Sequence, residues 1–379
     1  MSRLGAQGVI GVTVVMRSRL IGLLVGTTML VTACSGAATP APTAAPTKAP
    51  VASQAAAASP TAKPKAADLA IPKPSGDLTI KIGLPSVLAF ATLPIAMTVD
   101  RINSQGWKAS YVEFTSTSLN TQALVQGDVQ FAQAQVLDAA RALQASTAGS
   151  VGWLGENNGG EFVMIAKASL ADCKSLDGKR IGYQGAAAPV TVVTKNWLKA
   201  CGATGQDVII SGGDNRTIAM EKDQLDATIA QMADWLLLDA RAPGKFKLLD
   251  TGTTYDITGA HYWVNNAWAT KNPDLAVAFF AEILKTFAMI QEDHTIVQPA
   301  IIKFIPVFTT NNPTVSLVNT YITSAAIKAW PANGGDTTKV ANALTFFTGT
   351  GDLKAGLAAD TLTNTTVRTK ALQLVGQAK

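Results

Sequence analysis

The sequence predicts an α/β fold of two lobes, each a mainly parallel sheet flanked by helices. Three observations predict it. Strand patterns alternate with helical patterns from residue 78 onward, and parallel neighbours need helical crossovers of that kind. The strand-helix order restarts at Leu176. About 300 residues follow a Pro-rich stretch, which suits two cores better than one.

Residues 78–83 alternate in polarity and end in Gly83-Leu84-Pro85-Ser86, a strand entering a loop. Helical periodicity covers 89–103, and 109–115 reads as a second strand. A short helix over 120–126 is closed by Gly127-Asp128. A strand over 129–132, a helix over 137–145, and strands over 150–154 and 162–167 complete the first half. The second half repeats the form: strand 180–184, helix 190–201, strand 208–211, helix 217–222, strands 226–231 and 246–250. Residues 261–265 read as a strand returning the chain to the first lobe. Helices follow over 275–291, 297–304, 314–330 and 338–347. The lobes are therefore expected at 76–166 and 167–260, with 261–379 returning to the first.

The N-terminus carries targeting signals. Arg17 and Arg19 precede an apolar run over 20–31, the length of a signal-peptide core and short for a membrane span. Val31-Thr32-Ala33-Cys34-Ser35-Gly36 then resembles a bacterial lipoprotein box. It implies removal of 1–33 and a lipid on Cys34, which anchors the protein to the outer face of the bacterial membrane. An ordinary secretory signal is the other reading. The apolar run over 9–16 leaves a start nearer Met16 open. Residues 34–75 are rich in Ala, Pro, Thr, Ser and Lys and are expected to form a disordered tether.

The net charge of +5 is concentrated upstream: seven of the 31 basic residues precede Gly76, against one of the 26 acids. The domain itself is near neutral, which argues against nucleic acid as a partner. Cys173 precedes a predicted strand and Cys201 ends the helix after it. The helix runs back along the strand, so the two are expected to lie close, as a disulfide in an oxidising compartment or as two buried thiols.

Several segments together resemble the substrate-binding proteins of ABC importers, in the branch with sulfonate, taurine, nitrate, pyrimidine-precursor and riboflavin binders (NMT1/THI5-like). They are Ile82-Gly83-Leu84-Pro85-Ser86, Ala123-Leu124-Val125-Gln126-Gly127-Asp128-Val129, Leu176-Asp177-Gly178-Lys179-Arg180-Ile181-Gly182, Gln224-Leu225-Asp226-Ala227 and Trp330-Pro331-Ala332-Asn333-Gly334-Gly335. The resemblance implies the periplasmic-binding-protein type II fold, with two crossovers as a hinge and a ligand in the cleft. It implies a permease as partner and a monomer as the working form.

Ligand-binding candidates lie where strands end. Pro85, Ser86 and Phe90 follow the first strand; Ser116, Thr117, Ser118 and Asn120 follow the second. These hydroxyls and amides either meet a ligand or cap helices. Gln133 and Gln135 are expected in a loop after the third strand, suited to a neutral polar ligand. Trp153 is either a stacking wall or core. Tyr183 and the small residues Gly185, Ala186 and Ala187 join a strand to a helix and leave amides accessible to an anion or carbonyl oxygen. Asp234 beside Trp235 suits a ligand N–H and a flat ring, or a structural role. Trp263 and Asn265 are weaker candidates.

No catalytic residue, metal or cofactor is expected. The only histidines are His261 and His294, and no Cys cluster accompanies them. A pyrimidine-precursor synthase of the same superfamily would need both. A ligand-sensing partner of a membrane receptor would use the same cleft. The expected ligand is a small sulfonate-like or heteroaromatic solute.

Overall fold

The computed structural model describes residues 64–377 apart from 147–148, 158–161, 253, 306–314, 318 and 320–329. Cys34, the leader and most of the tether lie outside the described residues, as does most of the helix expected over 314–330.

Ten strands are described: β1 (Thr79–Leu84), β2 (Lys108–Glu113), β3 (Phe131–Gln135), β4 (Val151–Asn157), β5 (Phe162–Lys167), β6 (Arg180–Tyr183), β7 (Gln206–Ile209), β8 (Ala227–Gln231), β9 (Phe246–Leu249) and β10 (Ala260–Asn265). The helices between them are α1 (Leu93–Asn103), α2 (Thr117–Gln126), α3 (Val136–Ala145), α4 (Pro189–Ala200), α5 (Gly213–Glu221) and α6 (Met232–Arg241). After β10 come α7 (Asn266–Lys271), α8 (Pro273–Glu292), α9 (Val297–Phe304), α10 (Thr338–Gly349), α11 (Ala359–Leu362) and α12 (Thr365–Leu374).

The strands form two five-stranded sheets of one topology, β2-β1-β3-β10-β4 and β7-β6-β8-β5-β9. Both are mixed. In the first, β1 pairs in parallel with β2 and β3, while β10 runs antiparallel between β3 and β4. In the second, β6 pairs in parallel with β7 and β8, while β5 runs antiparallel between β8 and β9. The expectation of mainly parallel sheets is thus refined by one reversed strand in each. β5 also corrects the expected boundary at 166. It belongs to the second lobe, because its hydrogen-bonding partners are β8 and β9.

The two halves match residue for residue around their first strands. Lys81 N–H donates to Gln130 Oε1 at 2.9 Å, and Gln130 N–H donates to Lys81 O at 3.0 Å. In the second lobe Arg180 N–H donates to Asp226 Oδ2 at 3.0 Å, and Asp226 N–H donates to Arg180 O at 2.9 Å. A polar side chain closes the same ring in both lobes. The Arg180 guanidinium, helped by Lys167, holds the Asp226 carboxyl well below the usual carboxylate range against the opposing effect of burial.

β3 and β4 are buried along their whole length, as strands covered on both faces must be. One core gathers Ile80, Ile82, Phe131, Tyr262, Phe279, Phe280, Phe287 and Trp330 around the first sheet and α8. A second runs from Ala132, Trp153 and Trp263 into Tyr183, Val190 and Ile229 of the other lobe. The lobes therefore share apolar surface at the hinge, with each fully buried large side chain contributing about 1.5–3 kcal/mol.

The tether expected to reach residue 75 meets the fold earlier. Ala66 is buried and its N–H donates to Glu292 Oε2 at 2.7 Å. Lys285 Nζ donates to Leu69 O at 2.6 Å, and Leu69 and Ile71 pack against the first core. Two apolar residues in a low-complexity stretch suffice to dock it on α8.

Cys173 and Cys201 form a disulfide across 28 residues, with Cα atoms 6.3 Å apart. Replacing both by serine is expected to lower unfolding free energy by about 3.6 kcal/mol, the loop-closure value for that separation. Urea denaturation of the oxidised and Ser/Ser proteins checks this; equal midpoints would contradict it.

Candidate functional site

The crossovers fix how the sheets face each other. β4 ends at Asn157 on the carboxyl edge of the first sheet, and β5 starts at Phe162 on the carboxyl edge of the second. Five residue steps span at most about 18 Å. The return runs from Leu249, at the end of β9, to Ala260 at the start of β10. Both connections join carboxyl edge to carboxyl edge, so those edges and the starts of α2, α3, α4, α5 and α6 border one cleft. Helix N-termini supply free amides there.

The first lobe presents fewer free groups than the sequence suggests. Pro85 and Ser86 are half-buried, and Ser86 Oγ donates to Val87 O at 3.1 Å. Phe90 is core. Ser116 Oγ accepts the Leu119 amide at 3.2 Å as the cap of α2, while Thr117 is half-buried and Ser118 exposed. Asn120 is fully buried and donates to Gln133 O at 2.8 Å. It lies over Gly83, where a Cβ would come within 2.0 Å of Asn120 Oδ1.

Gln133 and Gln135 are not in a loop; they belong to β3, which starts later than expected. Their amides are bound internally. Gln133 Nε2 donates to Ala91 O at 3.3 Å, beside Asn157 Nδ2 at 2.8 Å, and Gln135 Nε2 donates to Thr258 O at 2.5 Å. Trp153 lies within β4 with no exposed surface. Its Nε1–H donates to His261 Nδ1 at 3.1 Å, and the Arg368 guanidinium covers its ring at 4.8 Å. It is core rather than a stacking wall. Trp263 and Asn265 are likewise buried in β10, bonded to Ala134 O and Leu124 O.

In the second lobe Tyr183 is buried, with Lys195 Nζ 5.5 Å from its ring centre. Gly185 is half-buried, and Ala186 and Ala187 are exposed, in a turn closed by Ala188 N–H to Gly185 O at 3.3 Å. Asp234 is the third residue of α6, and its Oδ2 accepts Gln231 N–H at 3.0 Å. A Cβ on Gly213 would come within 2.0 Å of that oxygen. The carboxylate thus supports two helix starts. Trp235 is half-buried against the small core under α6. Of the aromatic candidates it alone keeps exposed surface.

Reading the halves separately misses a repeated pair. Gln135-Val136-Leu137-Asp138 and Gln231-Met232-Ala233-Asp234 occupy equivalent positions, since Phe131 and Ala227 hold the same register against Ile82 and Ile181. Asp138 faces Thr117 at the start of α2 as Asp234 faces Gly213 at the start of α5. Burial pushes both carboxyls up to about 6, against hydrogen bonds from Thr117 and the Gln231 amide respectively. Aligning the halves would reveal it. No local signal marks Arg216, which is buried and donates to Ile229 O at 2.9 Å and Ile210 O at 3.0 Å, bracing the ends of β7 and β8.

His261 is held neutral, its pKa pushed down to about 3 by burial and then by Lys339. Among the described residues no group of three or more His, Cys, Asp or Glu is placed to hold a metal. The groups at these edges are helix-start amides, a few hydroxyls and one half-buried indole.

The model of the family described as NMT1/THI5 like matches residues 103–294. The chain belongs to the NMT1/THI5-like family. No curated protein matches it. Among solved structures it is similar to the alkanesulfonate-binding protein SsuA from Xanthomonas axonopodis pv. citri bound to MOPS, at 16% identity and TM-score 0.55, covering 76% of this chain and 99% of that one. The periplasmic nitrate-binding protein NrtA from Synechocystis PCC 6803 gives 12% identity and TM-score 0.59, covering 78% and 89%. A DSZB mutant in complex with biphenyl-2-sulfinic acid gives 11% and 0.52, covering 78% and 99%. These likenesses establish the two-lobed binding-protein fold.

The paired acids carry a pH signature. A carboxyl whose folded pKa is raised binds its proton more tightly when folded, so stability falls as pH rises from about 4 to about 6. Asp138→Asn and Asp234→Asn are each expected to raise unfolding free energy by about 3 kcal/mol at pH 7.5 and to change it little at about pH 3. Chemical denaturation at the two pH values checks this; no gain at pH 7.5 would contradict it.

Proposed function

We propose that the protein is an extracytoplasmic solute-binding lipoprotein. It captures a small organic solute between its lobes and delivers it to the permease of an ABC importer. It works as a monomer, anchored to the outer face of the membrane through lipid on Cys34. The observation that carries the reading is that the reversed strands β5 and β10 each follow a crossover directly, which sets two carboxyl edges against each other across a hinge of two crossovers. Such a hinge allows closure around a ligand without rebuilding either lobe. The family and the sulfonate- and nitrate-binding neighbours support it.

The polar groups at the cleft favour a sulfonate-like or heteroaromatic solute. Amides at the starts of α2 and α5 and the hydroxyl of Ser118 suit sulfonate or carbonyl oxygens. Trp235 supplies a face for a flat ring. Trp153 and Tyr183, enclosed in the core, contribute packing instead. His261, buried and neutral, and two cysteines locked in a disulfide leave little for the enzymatic alternative.

A thermal-shift series of alkanesulfonates, nitrate and small heteroaromatics tests the reading. A solute at about a hundred times its Kd adds about 2.7 kcal/mol to the native state and raises Tm measurably. Ser118→Asp, an exposed change at the start of α2, is expected to weaken a sulfonate at least about tenfold by like-charge repulsion. Failure of every class to raise Tm would contradict the proposal. Cys34→Ser is expected to move the protein from the membrane fraction to the soluble one; unchanged membrane retention would remove the lipid anchor.

A further inference from the structure

One polar contact bridges the lobes through Arg141 and Asp352, two residues that neither the hinge nor the cleft requires. Arg141 lies on α3, in the first lobe. Its Nη1 donates to the carbonyl of Ala187 at 2.9 Å, in the turn that opens α4 of the second lobe. Its Nη2 donates to Asp352 Oδ1 at 3.0 Å. Asp352 is itself fixed, because Thr350 Oγ1 donates to its other oxygen at 2.7 Å.

The segment that carries Asp352 is clamped to α3 one turn beyond Arg141. Gln144 Nε2 donates to Lys354 O at 2.6 Å, and Lys354 N–H donates to Gln144 Oε1 at 3.1 Å. The guanidinium is therefore oriented from its own lobe before it meets Ala187. A planar fork with one arm on a carboxylate has its other arm directed. Its target is the main chain of the Gly185–Ala188 turn, whose own closure is one 3.3 Å bond from Ala188 N–H to Gly185 O. Beyond it, α4 is tied to the return crossover through Thr194 Oγ1 and Tyr255 Oη, 3.0 Å apart. The turn is thus held on both sides by elements outside its own sheet.

We infer that Arg141 is a positioning residue: it latches the Gly185–Ala188 turn to the first lobe, so that the turn's position is coupled to the separation of the lobes. The part of this that concerns a solute rests on the binding function proposed above. The latch itself does not, and is measurable without ligand. The pair is partly exposed, Arg141 at 34% and Asp352 at 24%, so its strength is modest and tunable. A latch of that strength biases a two-state equilibrium without locking it.

The experiment places spin labels at Gln122, on α2, and Lys222, just after α5, both exposed. It records the distance distribution of the ligand-free full chain. In Arg141→Ala the fraction of the population at the wild-type distance is expected to fall roughly fivefold relative to wider separations, the factor for one modest charged hydrogen bond. Arg141→Lys, which keeps charge but cannot span both acceptors, gives an intermediate distribution. Asp352→Asn shifts it in the same direction and covers the case in which Arg141→Ala fails to fold. Distributions unchanged in Arg141→Ala and Asp352→Asn overturn the inference. So does a shift in Arg141→Ala that Asp352→Asn does not share, because the arginine would then act without its orienting carboxylate. Neither result bears on whether the cleft takes a solute, which the thermal-shift series reads independently.

Discussion

In each five-stranded sheet the one reversed strand is the first strand after a crossover from the other lobe, and that placement constrains everything else. β5 leaves the first lobe and closes the ladder between β8 and β9; β10 leaves the second and closes it between β3 and β4. The two sheets must meet carboxyl edge to carboxyl edge, because a reversed strand enters at the edge where its neighbours end. Cleft, hinge and shared apolar cluster follow from that one topological fact.

The same constraint explains how the polar residues at the strand ends are used. A carboxyl edge buried beside a hinge leaves carbonyls and amides that need partners. Gln133 and Asn157 converge on Ala91 O, Gln135 reaches Thr258 O, and Arg216 spans Ile210 O and Ile229 O. These side chains hold the walls of the cleft in shape. The groups left for it are the less conspicuous ones: an exposed serine, small-residue turns, helix-start amides and one half-buried indole.

Local pattern is enough for most elements, since periodicities of two and near 3.6 are read within one segment. The same pattern does not place β5, because alternation identifies a strand and not its partners. For the third strand it predicts an end at Ala132, where the first glutamine interrupts the apolar run. The strand continues because both glutamines find carbonyls from segments far along the chain. Trp153 reads equally well as wall or core, because a lone tryptophan does not show what covers it. Arg368, more than two hundred residues later, does. The serine cap at Ser116 is legible, as hydroxyl-before-helix is a local signal. The acid pair Asp138 and Asp234 is legible only to a comparison of the two halves, since each alone resembles an ordinary first-turn acid.

In the proposed function a solute is held by both lobes at once. Hydrogen exchange of the full chain, with and without the solute that most raises Tm, tests this most directly. Slowed exchange is expected at residues 86–89 and 116–119 of the first lobe together with 184–188 and 210–215 of the second. Protection confined to one lobe would contradict it. So would protection around the roughly 280 Å³ cavity between α1, α8 and α9, lined by Met97, Arg101, Met289 and Phe304, because the solute would then sit away from the carboxyl edges that the crossovers bring together.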